Sequence, residues 1–311
     1  MNIVFMGTPD FAVPCLKALI ESDNTVQAVF TQPDKPKGRG YKLTPPPVKV
    51  VAMEHNIPVY QPQSLKKGED AEKSSAILNN LKPDLIVVVA YGKILPLSVL
   101  NIPKHFCINV HASLLPKYRG AGPIQWSVLN GENETGVTTM LMAEGLDTGD
   151  ILLKKSTKIG ENETASELHD RLSILGAELL IETINAVKSG NITPIKQNDE
   201  ESCYSPMLTK DMCHVDFSKS AKEIHNQIRG LSDWPCATAT LDGKRIKLYK
   251  SHIVPDIKGK SGEIINAESF VIACGDGNGI AIDEIQAEGG KRMKTADYLR
   301  GNKITKGTVL S

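Results

Sequence analysis

The stretch Phe106-Cys-Ile-Asn-Val-His-Ala-Ser-Leu-Leu-Pro-Lys-Tyr-Arg-Gly-Ala-Gly-Pro-Ile124 joins a short apolar segment to a turn rich in proline and glycine. Residues 108–111 predict a strand. Because side chains alternate between the two faces of a strand, Asn109 and His111 are expected to point the same way. Residues 113–123 predict turns. The run 124–130 predicts a helix that ends at Gly131.

The residues that follow predict a second strand close to the first. The run 135–142, Thr-Gly-Val-Thr-Thr-Met-Leu-Met, is β-branched and apolar, which is typical of strands. Asp147 comes shortly after its end. We therefore expect an amide, an imidazole and a carboxylate to meet at the ends of two neighbouring strands.

The N-terminal part of the chain predicts a parallel sheet. Strands are expected at 2–6 and 26–31, with a helix between them, which is the order of a βαβ unit. The continuous apolar run 85–90 indicates a strand buried on both faces. Ligands of such sheets bind at the carboxyl ends of the strands, so the strand ends at 90 and 111 should face one crevice. The first turn lacks the Gly-x-Gly-x-x-Gly signature, which argues against NAD binding.

Composition excludes several broad classes of protein. The chain carries 36 basic and 36 acidic side chains, so no overall charge attracts it to nucleic acid or to a membrane. Its six Cys form no Cys-x-x-Cys pair, which indicates buried thiols in a reducing compartment and no metal site. No signal peptide or membrane-spanning run is evident, so we expect a cytoplasmic protein with no membrane partner. We also expect a monomer.

Residues 33–47 hold five Pro, two Gly and four basic side chains. Such a segment is not expected to pack into a core and predicts a mobile surface loop. On its own, this composition is most simply interpreted as a solvated loop. The basic residues of this segment are Lys35, Lys37, Arg39 and Lys42.

The C-terminal third predicts a smaller β-rich domain. Residues 188–208 are polar and irregular and suggest a linker, and Ser220-x-x-Glu223 is a capping box that begins a helix. Leu241-Asp-Gly-Lys244 predicts a hairpin, and strand-like runs recur to residue 286. We therefore expect an α/β protein with a Rossmann-like, mostly parallel N-terminal sheet in a domain spanning 1–204. A small barrel of oligonucleotide-binding (OB-like) type should occupy 205–311.

The motifs at the predicted strand ends resemble the active site of the folate-dependent formyltransferases. The resemblance rests on Asn109-x-His111, on the run Ser113-Leu-Leu-Pro-Lys-Tyr-Arg-Gly120 and on Asp147 in Glu-Gly-Leu-Asp-Thr-Gly. The opening residues 6–14 and the loop 33–49 are similar to one branch of that family and are more specific than the site motif. Gly122 departs from the family, which more often has Ala there.

The resemblance implies a reaction and its catalytic residues. A formyl group would pass from N10 of 10-formyltetrahydrofolate to the α-amino group of methionine esterified to initiator tRNA, by direct attack of the amine. Asn109 and His111 would donate hydrogen bonds to the tetrahedral oxyanion. Asp147 would favour the imidazolium and accept the proton that the amine loses. No metal is required.

The resemblance also implies binding residues for both substrates. It places Ser113, Leu114, Leu115 and Pro116 at the folate, and we expect Tyr91, Ile94 and Leu95, beyond the 85–90 strand, to line the pterin slot. With this resemblance, the loop is expected to contact RNA through Lys35, Lys37, Arg39 and Lys42. The predicted C-terminal hairpin should add Lys244, Arg245 and Lys247. Phosphate contacts of this kind make affinity depend on salt.

Other interpretations of the same residues remain open. An Asn and a His two apart on a strand are often a satisfied polar pair, and Asp147 beside Thr148 and Gly149 is often a turn former. A related enzyme could use another acceptor, such as glycinamide ribonucleotide or an amino sugar, or could hydrolyse formyltetrahydrofolate. A protein of a different class, a non-catalytic RNA-binding protein, would use the barrel alone.

Overall fold

The computed structural model describes residues 1–37 and 41–311, without the side chains of Lys37 and Lys42. The helices in chain order are α1 Val13–Glu21, α2 Pro47–Glu54, α3 Glu69–Leu81, α4 Leu97–Leu100, α5 Pro123–Leu129, α6 Ala165–Lys188, α7 Ala221–Gly230 and α8 Thr295–Gly301. The strands are β1 Asn2–Gly7, β2 Thr25–Phe30, β3 Lys35–Lys37, β4 Lys42–Thr44, β5 Val59–Tyr60, β6 Leu85–Val89, β7 Phe106–His111, β8 Arg119–Gly120, β9 Glu134–Leu141, β10 Ile151–Lys158, β11 Tyr204–Ser205, β12 Ala237–Leu241, β13 Lys244–Val254, β14 Ile264–Asn266, β15 Val271–Ala273, β16 Gly279–Ala287 and β17 Met293–Lys294.

The chain divides into two compact units, and the second unit is assembled from three separate segments. The first unit comprises residues 1–120, 136–157 and 169–204. The second comprises 205–311 together with 121–135 and 158–168. The sequence had placed those two short segments in the first domain.

A seven-stranded sheet forms the centre of the first unit, in the order β10-β9-β7-β6-β1-β2-β5. The neighbours from β7 to β5 are parallel, whereas β9 runs antiparallel to β7. β1 and β6 are buried almost throughout, as expected for strands covered on both faces. This mostly parallel sheet is the Rossmann-like arrangement that the sequence predicted, so this part of the fold prediction is confirmed.

Residues 33–47 are more regular than the sequence suggested. β3 and β4 pair as an antiparallel hairpin in which Lys35 faces Thr44 and Pro36 faces Leu43. The segment predicted as a mobile surface loop thus includes a short hairpin, and its mobility stays a prediction. Each strand has only three residues and one contains Pro36, so no strand-like period was visible in the sequence. Tyr41 and Leu43 are exposed, in agreement with a surface position.

An antiparallel sheet in the order β12-β13-β16-β15-β14 dominates the second unit, with β17 beside β16. The hairpin predicted at residues 241–244 joins β12 to β13, and Asp242 and Gly243 both have positive φ. Such φ values fit a two-residue turn of the primed type. Alternate residues of these strands, among them Ala239, Ile246 and Leu248, enter one apolar core. The antiparallel C-terminal sheet domain is thus confirmed.

Residues 307–311 pair with both outer strands of this sheet. The backbone N–H of Ile264, in β14, donates to Thr308 O over 2.8 Å. At the other edge, Thr240 in β12 exchanges backbone hydrogen bonds with Ser311. Leu310, between these contacts, is buried in the core of the second unit. The segment therefore covers edges that would otherwise leave backbone groups unpaired.

Candidate active site

The residues expected to carry the chemistry lie together in the first unit. Asn109 and His111 are on β7 and are 9% and 6% exposed. Pairing with β9 places Asn109 opposite Met140 and His111 opposite Thr138. Asp147 follows β9 in a turn, and its Oδ2 lies 3.7 Å from His111 Nδ1. The structure therefore brings the predicted imidazole and carboxylate together.

The tautomer of His111 follows from its second contact. Nε2 lies 2.9 Å from the carbonyl oxygen of Tyr118. A carbonyl only accepts, so Nε2 carries a hydrogen and donates it. In the neutral ring Nδ1 is therefore unprotonated, and proton exchange at this histidine takes place at the nitrogen that faces Asp147.

The side chain of Asn109 is uncommitted among the described residues. Within residues 1–37 and 41–311, no hydrogen bond is made to its amide group. Nearly all buried polar groups in folded proteins have a partner, so an amide left open beside a histidine is a candidate for binding an atom of a substrate. The alternative of a satisfied Asn–His pair is not what the structure contains.

Asp147 is fixed by contacts on both its side chain and its backbone. Gly120 N donates to Oδ2 over 2.9 Å, and the Gln197 amide donates to the carbonyl oxygens of Asp147 and Gly149 over 2.8 and 2.7 Å. A Cβ at position 149 would lie 1.7 Å from Leu141 O, so only glycine fits there. Asp147 itself has a φ of 52°.

The segment 188–208 is part of the site's support and not merely a linker. Ile195 forms a bridge with Ile151, and the buried Gln197 accepts hydrogen bonds from Arg119 Nε and Nη2. The backbone N–H of Arg119 donates to Cys203 O. These residues make contacts within the first unit, and the assignment of 188–208 as a linker stays a prediction. No local pattern marked Gln197, because its contacts are to residues 48 to 78 positions away.

The residues proposed to line the folate differ widely in exposure. Ser113 and Leu115 are fully buried, and Tyr91 and Leu95 nearly so. Ile94 is 81% exposed, and Leu114 and Pro116 are half-buried. The accessible apolar surface in this set is therefore provided mainly by Ile94, and the assignment of the whole set to the folate stays a prediction.

Two buried members of that set, Ser113 and Leu115, hold the loop after β7 in place. Ser113 Oγ donates to Lys117 O over 2.6 Å, and Thr138 Oγ1 donates to Ser113 O over 2.7 Å. Leu115 packs against Met140 and Ile151. Burial raises the pKa of Tyr91, whose hydroxyl has no partner among the described residues.

The basic residues proposed to contact RNA are described only in part. Lys35 Nζ donates to Gln32 Oε1 over 2.8 Å. Arg39 lies outside the described residues, as do the side chains of Lys37 and Lys42. In the second unit Lys244 and Arg245 are exposed and Lys247 is half-buried. Beside Arg245 is a cleft of about 310 Å³, which Lys210 and His214 also line.

The helices of residues 1–37 and 41–311, and their His, Cys, Asp and Glu side chains, bear on two further classes of site. No described helix has the length and apolar character needed to cross a membrane. No group of three or more His, Cys, Asp or Glu side chains in these ranges has the geometry to hold a metal ion.

Comparisons with known proteins define the class to which this site and fold belong. Residues 1–184 match the family described as formyl transferase, and residues 207–303 match the formyl transferase C-terminal domain. The chain therefore belongs to the formyl transferase family and is an enzyme of that family. The family resemblance seen in the sequence is confirmed.

Relatives that match over the full length of the chain belong to a narrower class of enzyme than the family as a whole. The chain is 55% identical over 314 residues to the methionyl-tRNA formyltransferase of Clostridium novyi (strain NT), with all of both chains covered. It is 53% identical to the methionyl-tRNA formyltransferase of Alkaliphilus oremlandii (strain OhILAs), covering 100% of this chain and 99% of the relative.

Solved structures show the same fold at lower identity. The sugar 3N-formyltransferase WlaRD is 23% identical, with a TM-score of 0.69 and coverage of 91% of this chain and 97% of that one. The N-formyltransferase of Helicobacter canadensis, solved with folinic acid and dTDP-3-aminofucose, is 24% identical with a TM-score of 0.69, covering 90% and 98%. At these identities the likeness establishes the fold alone.

Proposed function

We propose that this enzyme transfers the formyl group of 10-formyltetrahydrofolate to the α-amino group of methionyl initiator tRNA, acting in the cytoplasm. The product, N-formylmethionyl-tRNA, initiates translation. One observation carries the choice of acceptor: proteins named methionyl-tRNA formyltransferase match this chain at 50–55% identity over practically its whole length, both domains included. The sugar N-formyltransferases also match over 90–91% of this chain, but at only 23–24% identity, so the level of identity and not the coverage favours the tRNA acceptor.

The site geometry fits amine attack on a formamide carbon. The uncommitted amide of Asn109 offers N–H donors for the oxyanion that develops on the formyl oxygen. His111 contributes through Nδ1–H when protonated, since Nε2–H is already donated to Tyr118 O. An amine is itself a good nucleophile, so a serine or cysteine nucleophile is not needed.

We propose that Asp147 accepts the proton that the attacking amine loses, and that this proton passes to N10 as the C–N10 bond of the tetrahedral intermediate breaks. Asp147 Oδ2 accepts from Gly120 N and faces His111, whereas Oδ1 accepts no hydrogen bond within the described ranges. One carboxylate oxygen is thus fixed and the other is open. A fixed, partly buried base of this kind needs little reorganisation before proton transfer.

The folate donor fits the residues at the ends of β6 and β7. The pterin of a folate needs an apolar surface and a few polar groups to read its edge. Ile94 provides exposed apolar surface after β6 for the pterin, and the open amide of Asn109 lies at the end of β7 for the formyl group that the folate carries. Ser113, Leu114, Leu115, Pro116, Tyr91 and Leu95 complete the proposed binding region, the buried ones by shaping it.

A transfer assay tests the proposal and separates it from its rivals. Purified protein is incubated with 10-formyltetrahydrofolate and, in parallel, with methionyl initiator tRNA, uncharged tRNA, a nucleotide-linked amino sugar, or no acceptor. We expect N-formylmethionine only with the charged tRNA. Formylation of the sugar, or release of formate without acceptor, would assign the chain to a different branch of the family.

For the tRNA we propose that the segment 33–49 and β13 supply the phosphate contacts. Arg39→Ala combined with Lys42→Ala should lower kcat/KM for methionyl-tRNA and leave folate affinity unchanged. Each lost phosphate contact also reduces the slope of log affinity against log salt by roughly 0.7–0.9. The measurement is kcat/KM for tRNA over a salt series.

A matched control for this prediction is the pair Lys66→Ala with Lys67→Ala, which removes two exposed positive charges elsewhere in the first unit. The control should retain the full salt slope. Equal slopes in the two double variants would show that the segment 33–49 has no role beyond its net charge.

A further inference from the structure

Gln197 stands out because all the hydrogen-bonding capacity of its side chain is used within the site. The side chain is 7% exposed. Its Nε2 donates to the carbonyl oxygens of Asp147 and Gly149, at 2.8 and 2.7 Å. Its Oε1 accepts from Arg119 Nε and Nη2, at 3.0 and 2.8 Å. Two donors and a carbonyl oxygen with two lone pairs are thereby all engaged.

The first of these contacts fixes the backbone that bears Asp147. With a φ of 52°, Asp147 adopts a left-handed conformation that a non-glycine residue keeps only when its surroundings hold it there. Gln197 binds the carbonyl of this residue and that of Gly149. It therefore holds the turn at both sides of Thr148.

The hydrogen bonds from Arg119 to Gln197 Oε1 connect Gln197 with the Asp147 carboxylate through a second route. Arg119 is bound to Gln197 Oε1, and the next residue, Gly120, donates its N–H to Asp147 Oδ2 over 2.9 Å. One amide thus connects the backbone of Asp147 with the segment that orients its side chain. The result is the position of Oδ2, 3.7 Å from His111 Nδ1.

We propose that Gln197 is a positioning residue for formyl transfer, which sets the location of the Asp147 carboxylate relative to His111. Gln197 itself contacts neither His111 nor Asn109 among the described residues. It acts through Asp147, so the inference rests on the proposed role of that residue. Displacement of a reacting group by about 1 Å costs on the order of 10²-fold in rate.

The hydrogen bonds that Gln197 makes explain why other side chains would not replace this residue. Glutamate keeps the acceptor for Arg119 but has no N–H, so it would set an oxygen against the carbonyls of Asp147 and Gly149. Methionine keeps a similar volume and loses both sets of contacts. Only a planar amide of this length donates on one side and accepts on the other.

The experiment compares Gln197→Met and Gln197→Glu with the control Asp199→Ala. Asp199 also pairs with Arg119, over 2.8 Å, but its side chain is 81% exposed. We expect both Gln197 variants to lose about 10- to 100-fold in kcat, with KM for folate and for tRNA changed less than about threefold. Asp199→Ala should stay within about twofold, as for exposed ion pairs generally.

A double-variant cycle separates positioning from a general structural effect. In an Asp147→Asn background, Gln197→Met should cause no further loss of kcat, because the group it positions has gone. Thermal melting identifies variants that do not fold, and Gln197→Glu carries the same test if Gln197→Met fails. Losses that multiply in the double variant, or normal kcat in a folded Gln197 variant, would overturn the proposal. Normal kcat in Asp147→Asn alone would instead overturn the proposed role of Asp147.

Discussion

Two buried polar clusters of similar composition occur in this protein, one in each unit. The first unit contains Asn109, His111 and Asp147, and the second contains His225, Asn226 and Arg229. Both contain a histidine and an asparagine, so these two residue types do not tell the clusters apart. They differ in how many of their hydrogen-bonding groups are already engaged.

The second cluster is closed by contacts within its own unit. His225 Nδ1 lies 2.9 Å from Ser251 Oγ, and Nε2 donates to Glu161 O over 3.0 Å. Arg229 donates to Asn226 Oδ1 over 2.9 Å and to the carbonyls of Gly160 and Glu163. In the first cluster the Asn109 amide and one Asp147 oxygen have no hydrogen-bond partner among the described residues. The two clusters therefore differ in their open hydrogen-bonding groups, and this difference supports the catalytic role proposed for the first.

The largest expected effect is on catalysis at Asp147. Asp147→Asn retains the size of the side chain and removes the base, so kcat should fall by on the order of 10²- to 10⁴-fold while folate affinity changes little. Glu144→Gln removes an exposed carboxylate from the same turn and should leave kcat within about twofold. The measurement is single-turnover kinetics of both variants. Comparable rates would show that Asp147 matters no more for catalysis than an exposed carboxylate, and the two clusters would no longer differ in function.

The next effect is a contrast between the two asparagines. Asn109→Ala should cost about 3 kcal/mol in transition-state stabilisation, as for other oxyanion donors, with little change in the free energy of unfolding because the amide has no partner to lose. Asn226→Ala should lower the free energy of unfolding and leave kcat nearly unchanged, because it removes the acceptor for a buried Arg229. Denaturant melts and kcat measurements of each variant test this contrast. If Asn109→Ala were destabilised, both clusters would have a structural role.

The oxyanion role also predicts how Asn109 and His111 combine. Because both would serve one intermediate, Asn109→Ala together with His111→Ala should be less impaired than the two separate losses multiplied together. Full multiplication would indicate that the two side chains act at different steps.

A smaller effect is expected on stability at Arg229. Arg229→Met keeps an apolar stem but removes the donor to the buried Asn226 Oδ1 and to the carbonyls of Gly160 and Glu163, so we expect about 2 kcal/mol lower free energy of unfolding. Methionyl-tRNA formylation at low temperature should be retained. The measurement is a urea melt at a pH where the rest of the chain is fully folded, and an unchanged midpoint would show that water replaces the guanidinium at no cost.

The smallest effect is a pH dependence from His225. Burial lowers the pKa of this ring below its ordinary 6.5, and Arg229 and Lys222 add to this, whereas the carbonyl of Glu161 opposes it. The unfolded chain therefore binds a proton at a pH where the folded chain does not. The stability due to His225 is complete above about pH 6.5 and declines below it, by at most about 1.4 kcal/mol per pH unit. His225→Gln should flatten this part of the curve of unfolding free energy against pH, and an unaltered slope would contradict the assignment.

The sequence predicted those features that depend on local pattern. Apolar runs located β1, β6 and β7, and the capping box at Ser220 located the start of α7. The proximity of Asn109, His111 and Asp147 followed from strand alternation and from the rule that ligands gather at strand ends.

Features that depend on long-range contacts were not predictable in this way. The hairpin of β3 and β4 has too few residues to show a period, and Gln197 lies in an irregular segment. Residues 121–135 were assigned to the first domain by proximity in sequence, yet α5 packs in the second unit, where Leu129 contacts Gly230. Such contacts join residues that are far apart in the sequence, so local patterns do not reveal them.

The three-segment composition of the second unit has a consequence for how the chain matures during synthesis. The ribosome releases the chain from its N-terminus, so residues 121–135 and 158–168 emerge well before the α7 helix and the sheet that they pack against. Until then Ile124 and Val128, both buried in the finished protein, have no permanent cover. Exposed apolar segments of this kind invite chaperones and self-association. For the same reason, exchanging C-terminal domains between relatives requires carrying these two early segments along with residues 205–311.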